Sequence, residues 1–183
     1  MTEFTLRDAA PADIPLLHTL IEGAYRGEAS RAGWTTEADL LAGQRTDAEE
    51  LAEILADPDQ ALLTARDGDD LLACIRIQRQ PDGAAYFGML SVRPTRQASG
   101  LGRRMVAAAE TALVERFGAR LVRISVFPQR DTLIAWYERL GYADTGRTLA
   151  FDYANLRLGV ALRDDLYFIV MEKALDRPEP GGS

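Results

Sequence analysis

Residues 88–104 read Gly-Met-Leu-Ser-Val-Arg-Pro-Thr-Arg-Gln-Ala-Ser-Gly-Leu-Gly-Arg-Arg, and the rest of the chain is interpreted from this stretch. An apolar strand ends at Val92, a turn opens at Pro94, and a polar loop carries Gln97, Gly100 and Gly102. From Leu101 the pattern turns helical, with Leu101, Met105, Ala108 and Ala112 at i, i+4, i+7 and i+11. The first N–H groups of such a helix lack intrahelical acceptors and carry the positive end of its dipole. Glycines before it let the backbone approach a bulky anion without a Cβ in the way. Arg96, Arg103 and Arg104 add positive charge around the loop. Strand, glycine loop and helix start together predict a pyrophosphate cradle.

Two common phosphate loops do not fit. A Walker loop ends in Gly-Lys-Ser/Thr, and none is present. The dinucleotide fingerprint needs a third glycine where Met105 stands, and an acidic residue closing the next strand, which is missing. The spacing that does occur is Gln97-x-x-Gly100-x-Gly102 at a strand-to-helix turn.

The length of 183 residues suits one domain over residues 1–175. The tail at 176–183, with two prolines and two glycines, is expected to be disordered. Hydrophobic content of 47% beside 27% charged residues is that of an ordinary globular protein. No apolar run is long enough for a membrane span, and the first residues lack a signal-peptide core. A single cysteine, Cys74, agrees with a reducing compartment, so the expectation is a cytoplasmic protein away from membranes. A formal charge of −7 argues against nucleic acid as a partner. The oligomeric state stays open, with a homodimer among the candidates.

Taken in order, the chain alternates types. Residues 4–7 read as a strand and 11–25 as a helix opened by Pro11. Residues 27–36 read as a loop, and 37–42 and 47–56 as helices. Strands over 61–66, 71–78 and 84–92 form an expected antiparallel meander with turns at 67–70 and 80–83. After the helix 101–117 comes a strand over 120–127, giving a right-handed parallel crossover. A helix over 131–140, closed by Gly141, precedes a strand over 142–153 interrupted near Gly146. Residues 154–165 are irregular, and 166–171 are the last strand.

This order, with Gln97-x-x-Gly100-x-Gly102, resembles the GNAT superfamily of N-acetyltransferases, whose coenzyme A loop has that spacing. A second match is Leu133-x-x-Trp136-Tyr137-x-x-x-Gly141-Tyr142, similar to the family's aromatic pair followed by Gly-Phe/Tyr. The resemblance implies an α/β (α+β mixed-sheet) fold. Its sheet is largely antiparallel, with one parallel strand–helix–strand crossover and flanking helices. It implies acetyl-CoA as cosubstrate, no metal, and a primary amine of a small molecule or peptide as acceptor, attacked directly in a ternary complex. Gln97, Ala98, Ser99, Gly100, Leu101, Gly102, Arg103 and Arg104 would then hold the pyrophosphate. The backbone of Leu90, Ser91 and Val92 would pair with pantetheine, with Leu90 N–H as oxyanion donor. Tyr137 would protonate the departing thiolate, and Tyr25, Glu28 and Trp34 would stand near the acceptor.

The sequence departs from that pattern in places. Arg130 stands where an asparagine commonly contacts pantetheine, and Gln129 beside it is the substitute. Ala98 and Ser99 occupy positions that are often basic. Residues 84–92 hold Tyr86 and Gly88 where some members keep a glutamate base, so the base is unassigned. Read without the resemblance, Tyr137 is a core aromatic before it is a catalyst, His18 a packed helix residue and Cys74 a small buried thiol. The competing function is a module of the same fold that senses acyl-CoA without turnover.

Overall fold

Leu71, Leu72, Ala73, Cys74, Ile75 and Ile77 follow one another with only Arg76 between them, a run suited to a strand covered on both faces. In the computed structural model, which describes residues 4–31, 33–96 and 99–176, that strand is third in a seven-stranded sheet. The elements in chain order are β1 (Thr5–Asp8), α1 (Ile14–Tyr25), α2 (Gly27–Ser30), β2 (Leu41–Ala42) and α3 (Ala48–Ala56). There follow β3 (Gln60–Asp67), β4 (Asp70–Arg79), β5 (Ala85–Val92), α4 (Leu101–Phe117), β6 (Leu121–Val126) and α5 (Asp131–Arg139). The chain closes with β7 (Ala143–Ala150), β8 (Val160–Ala161) and β9 (Tyr167–Ala174).

The main sheet runs β1-β3-β4-β5-β6-β9-β7, and only β5–β6 is parallel. This is the mixed, mostly antiparallel sheet with one helical crossover and flanking helices that the sequence implies. On one face, Leu17 and Ile21 of α1 and Leu51 and Ile54 of α3 pack on Leu62, Leu71 and Cys74. On the other, Met105, Val106, Ala109 and Leu113 of α4 pack on Ile75, Ile77 and Phe87. Burying each Leu, Ile, Val, Met or Phe among them is worth about 1.5–3 kcal/mol before entropy is subtracted. A third cluster joins Leu40, Leu41, Phe127, Phe151 and Leu166.

Two features shape the centre. Opposite the step from Cys74 to Arg76 the β4–β5 register shifts, and Met89 takes a left-handed φ of 52°. The Met89 carbonyl left over by this bulge accepts from the Ser91 hydroxyl at 3.0 Å. The parallel pairing of β5 with β6 is short, with only Ala85 opposite Val122 and Tyr86 opposite Arg123. Beyond Tyr86 the two strands separate.

The helix expected over 37–42 does not form. Leu40 N–H and Leu41 N–H both bond to the Glu37 carbonyl, making one turn, after which β2 pairs with β8. A six-residue segment is too short to repay helix nucleation, and Leu40 and Leu41 instead enter the third cluster. The loop expected at 27–36 contains the single-turn α2, and the irregular stretch 154–165 contains a short 3-10 turn and β8. The interruption expected near Gly146 is a register shift between Asp144 and Thr148. Residues 177–183 of the expected disordered tail lie outside the described residues. Among the described residues no helix is long and apolar enough to cross a membrane.

Candidate active site

A cavity of about 250 Å³ opens where β5 leaves β6. Phe87, Gly88, Met89 and Leu90 form one wall, Ile124, Ser125 and Val126 another, and α5 closes it with Leu133 and Tyr137. The Leu90 carbonyl accepts a 2.8 Å hydrogen bond from the buried Tyr25 hydroxyl. Tyr25 therefore fixes the strand edge. Burial raises the Tyr25 phenol well above its ordinary value, with the nearby Glu37 carboxylate adding to the effect. Gly88 has a steric reason: a Cβ there would stand 2.9 Å from the Tyr86 hydroxyl, which lies 3.2 Å from the Ser125 hydroxyl.

The position of Tyr137 follows from how α5 ends. Gly141, at a φ of 94°, donates its N–H to the Glu138 carbonyl at 2.9 Å, and Tyr142 N–H donates to the Tyr137 carbonyl at 3.1 Å. This is the glycine-dependent Schellman cap, and its accompanying contact is Tyr142 packed edge-on against Tyr137 with centroids 5.6 Å apart. Phe87 packs on the other side at 6.1 Å. Thus the spacing Tyr137-x-x-x-Gly141-Tyr142 encodes a cap that holds the Tyr137 ring. Its hydroxyl has no hydrogen-bond partner among the described residues, and burial holds the phenol protonated far beyond neutral pH.

The glycine turn splits its work between two residues. Gly100 caps α4 at a φ of 79°, a conformation glycine adopts freely, and a Cβ there would meet nothing. At Gly102 a Cβ would lie 3.0 Å from Cζ2 of Trp34, so the small residue there admits the indole. Trp34 also packs on Trp136 at 4.6 Å. Trp34, Gly100, Gly102, Arg103, Trp136 and Arg139 line a second hollow of about 470 Å³ at the start of α4. Arg104 turns away, its guanidinium 3.8 Å from the Phe4 ring centroid, and Arg96 faces Asp67 at 4.0 Å. Ser99 bonds back to the Arg96 carbonyl, Leu101 is buried, and Gln97 and Ala98 lie outside the described residues. Gln129, in the turn before α5, has a buried side-chain oxygen with no hydrogen-bond partner among the described residues.

Of the residues expected near an acceptor, Tyr25 lines the cavity at the strand break, whereas Trp34 belongs to the hollow at the glycine turn. Glu28 is exposed and pairs with Arg31 at 2.9 Å. His18 is half-buried on α1 and does not line the cavity. Cys74 is fully buried, and burial pushes its thiol up to about 12.

The structure adds charged residues that the sequence does not single out: Glu37, Arg45, Glu50 and Arg76 line the cavity together with Arg130. Glu37 receives Arg26 at 2.9 Å and Arg130 at 3.3 Å, one on each carboxylate oxygen. Arg26 also donates to the Leu158 carbonyl and Arg130 to the Trp34 carbonyl. Glu37 thereby ties the segment after α1 to the turn before α5. Among the described residues no three His, Cys, Asp or Glu side chains are grouped as a metal site would require.

The model of the acetyltransferase (GNAT) family matches residues 26–142. Among solved structures, the chain is similar to the ribosomal-protein-S18-alanine N-acetyltransferase of Escherichia coli, with a TM-score of 0.69 at 16% identity over 99% of both chains. It is similar to yncA of Salmonella typhimurium, solved with its cofactor acetyl-CoA, with a TM-score of 0.67 at 18% identity over 96% of each chain. It is also similar to the spermidine/spermine N-acetyltransferase SpeG of Vibrio cholerae, with a TM-score of 0.65 at 15% identity over 94% of this chain and 93% of that one. No curated protein sequence matches the chain at a significant level.

Proposed function

The chain belongs to the acetyltransferase (GNAT) family, and from that premise we propose that it is an acetyl-CoA-dependent N-acetyltransferase. Its acceptor is a primary amine of a small molecule or peptide, attacking directly while both substrates are bound. The observation that carries this reading is the separation of β5 from β6 beyond Tyr86 and Arg123, with a cavity at the break. A strand edge that has parted from its neighbour binds an extended ligand as an added strand, and pantetheine has the amides to do so.

In this reading the backbone of Leu90, Ser91 and Val92 runs along pantetheine, and Leu90 N–H receives the developing oxyanion. Pyrophosphate lies at the turn of Gln97, Ala98, Ser99 and Gly100 and on the N-terminus of α4 at Leu101 and Gly102. Arg103 lines the adjacent hollow and supplies charge there, while Arg104 would have to leave the Phe4 ring to reach it. The orphaned Gln129 oxygen fits an amide N–H of the cofactor, since a buried acceptor without a partner costs about 1–3 kcal/mol. Bound acetyl-CoA supplies the thioester carbonyl. Tyr137, protonated and facing the cavity, is the donor for the leaving thiolate. Glu50 is the proposed acceptor-side base: its carboxylate lines the cavity and, among the described residues, accepts from the Thr46 hydroxyl alone, at 2.7 Å. The oxygens of Glu37 are both committed to arginines.

Direct transfer is supported over an acyl-cysteine route by the buried, protonated state of Cys74. The test is release of free thiol from acetyl-CoA across a panel of primary amines, with initial rates measured against both substrates. Intersecting lines, and activity largely retained in Cys74→Ala, are expected. Parallel lines or an acetyl group trapped on Cys74 would replace direct transfer with a ping-pong route. Coenzyme A binding without thiol release for any amine would return the non-catalytic sensor.

A further inference from the structure

Three arginines line the cavity at the strand break, and the guanidinium of one of them is neither ion-paired nor hydrogen-bonded to any described residue. Arg45 lines it with its guanidinium 5.3 Å from the Tyr25 ring centroid, and makes no side-chain ion pair or hydrogen bond among the described residues. The neighbouring arginines are engaged: Arg130 by Glu37 and the Trp34 carbonyl, Arg76 by the side chains of Gln60 and Gln78. Glu37 and Glu50 act on Arg45 electrostatically but lie beyond ion-pair range. Nor is Arg45 a loose surface residue. Its backbone N–H and that of Thr46 both bond to Glu22 Oε1, at 2.6 and 2.9 Å, which pins this segment to α1.

We propose that Arg45 binds a carboxylate carried by the acceptor, so that the substrate class is free amino acids with an apolar side chain. The amine half of this statement rests on the acetyltransferase reading. The carboxylate half rests on the cavity. A guanidinium carried on a pinned backbone, with no hydrogen-bond partner among the described residues, matches a carboxylate with two parallel hydrogen bonds. Tyr25 sets the spacing, because its ring lies beneath Arg45 while its hydroxyl holds the Leu90 carbonyl. The anion site is therefore one tyrosine side chain from the strand break, and about 250 Å³ leaves room for a small molecule. Leu41, Phe127, Phe151 and Phe168 form an apolar wall of the same cavity, which suits an aliphatic or aromatic side chain.

Two measurements on the full chain test this separately from the acetyl transfer. In the first, binding of N-acetyl-L-leucine and N-acetyl-L-phenylalanine is compared with that of their primary amides by calorimetry, in the parent and in Arg45→Gln. The acids are expected to bind about 10- to 100-fold more tightly than the amides, the range of a lost charge-assisted contact, and the ratio should fall to about one in Arg45→Gln. Equal binding of acid and amide by the parent overturns the inference whether or not the variant folds, as does a ratio unchanged in a folded variant. In the second, thiol release from acetyl-CoA is followed with leucine and phenylalanine against leucinamide and phenylalaninamide. Turnover with no preference for the free acids overturns the anion site and leaves the acetyltransferase reading intact. Arg45-dependent binding of the acids without thiol release from any amine sustains the anion site and removes the acetyltransferase reading.

Discussion

In the proposed reaction Tyr137 is the proton donor, and its ring and its hydroxyl have separable roles. Its ring is packed by Phe87, Trp136 and Tyr142, whereas its hydroxyl bonds to nothing among the described residues. Tyr137→Phe keeps the packing and removes only the donor. We expect kcat to fall by about 10²-fold, with acetyl-CoA affinity and melting temperature little changed. Turnover equal to the parent's would make Tyr137 a core aromatic. Glu37 is the opposite case. Glu37→Ala strands Arg26 and Arg130, whose side chains are only 6% and 11% exposed, and a broken buried pair of this kind costs about 3–5 kcal/mol. Urea unfolding checks this, and a loss below about 1 kcal/mol, as at an exposed pair, would mean solvent replaces the carboxylate. The two residues also differ in legibility. Tyr137 is readable because Gly141 and Tyr142 write its cap into local spacing. Glu37 and Arg130 lie 93 residues apart, and nothing local marks their meeting. Arg45 and Glu50 are hidden for the same reason, since only the path of the chain between α1 and α3 turns them toward one cavity.

Among elements, strands and long helices follow from residue pattern, and short connections do not. The alternation and apolar runs of β3, β4 and β5 fix their faces, and α4 is bounded by Gly100 and Gly118, both at positive φ. The segment 37–42 misleads because Leu40 and Leu41 are recruited by partners distant in sequence, Phe127, Phe151 and Leu166. The bulge at Met89 is equally silent in sequence: a methionine, not a glycine, takes the left-handed conformation, held by a side chain 4% exposed in the core under α1. For α5 the decisive device is its C-cap. Gly141→Ala should destabilise by about 1–2 kcal/mol through left-handed strain alone, because a Cβ there meets only Lys173 side-chain carbons at 3.5 and 3.7 Å. Thermal unfolding should show a drop of a few degrees. An unchanged melting temperature would mean that the cap contributes nothing to holding Tyr137.

At the scale of the whole molecule, a sheet covered on both faces is opened at one place, and phenols are buried around the opening. Tyr25, Tyr137 and Tyr142 are all raised from 10.0, first by burial, with the Glu110 carboxylate adding to the shift of Tyr142. The Cys74 thiol is raised from 9.0 to about 12 by burial. In each case the folded state retains the proton more strongly than the unfolded chain. The contribution to stability is therefore complete below pH 9.0 and declines as pH rises toward the folded values, because the unfolded chain ionises first. Circular dichroism should show alkaline unfolding beginning above about pH 9–10, and the tyrosinate absorbance of the six tyrosines should reach its full value only as the fold is lost. Ionisation of all six tyrosines with the fold intact would contradict this burial. Whether acetyl-CoA lies along the break with its pyrophosphate at the Gly100 turn, as proposed, is decided by calorimetric titration of acetyl-CoA. The titration uses the parent, Gly100→Ala and Gly100→Glu, since both variants carry the same left-handed strain and only the second places a carboxylate at the turn. Binding is expected in the parent and in Gly100→Ala, and its loss in a folded Gly100→Glu. Binding by Gly100→Glu equal to that of the parent, or no binding by the parent, would contradict this placement.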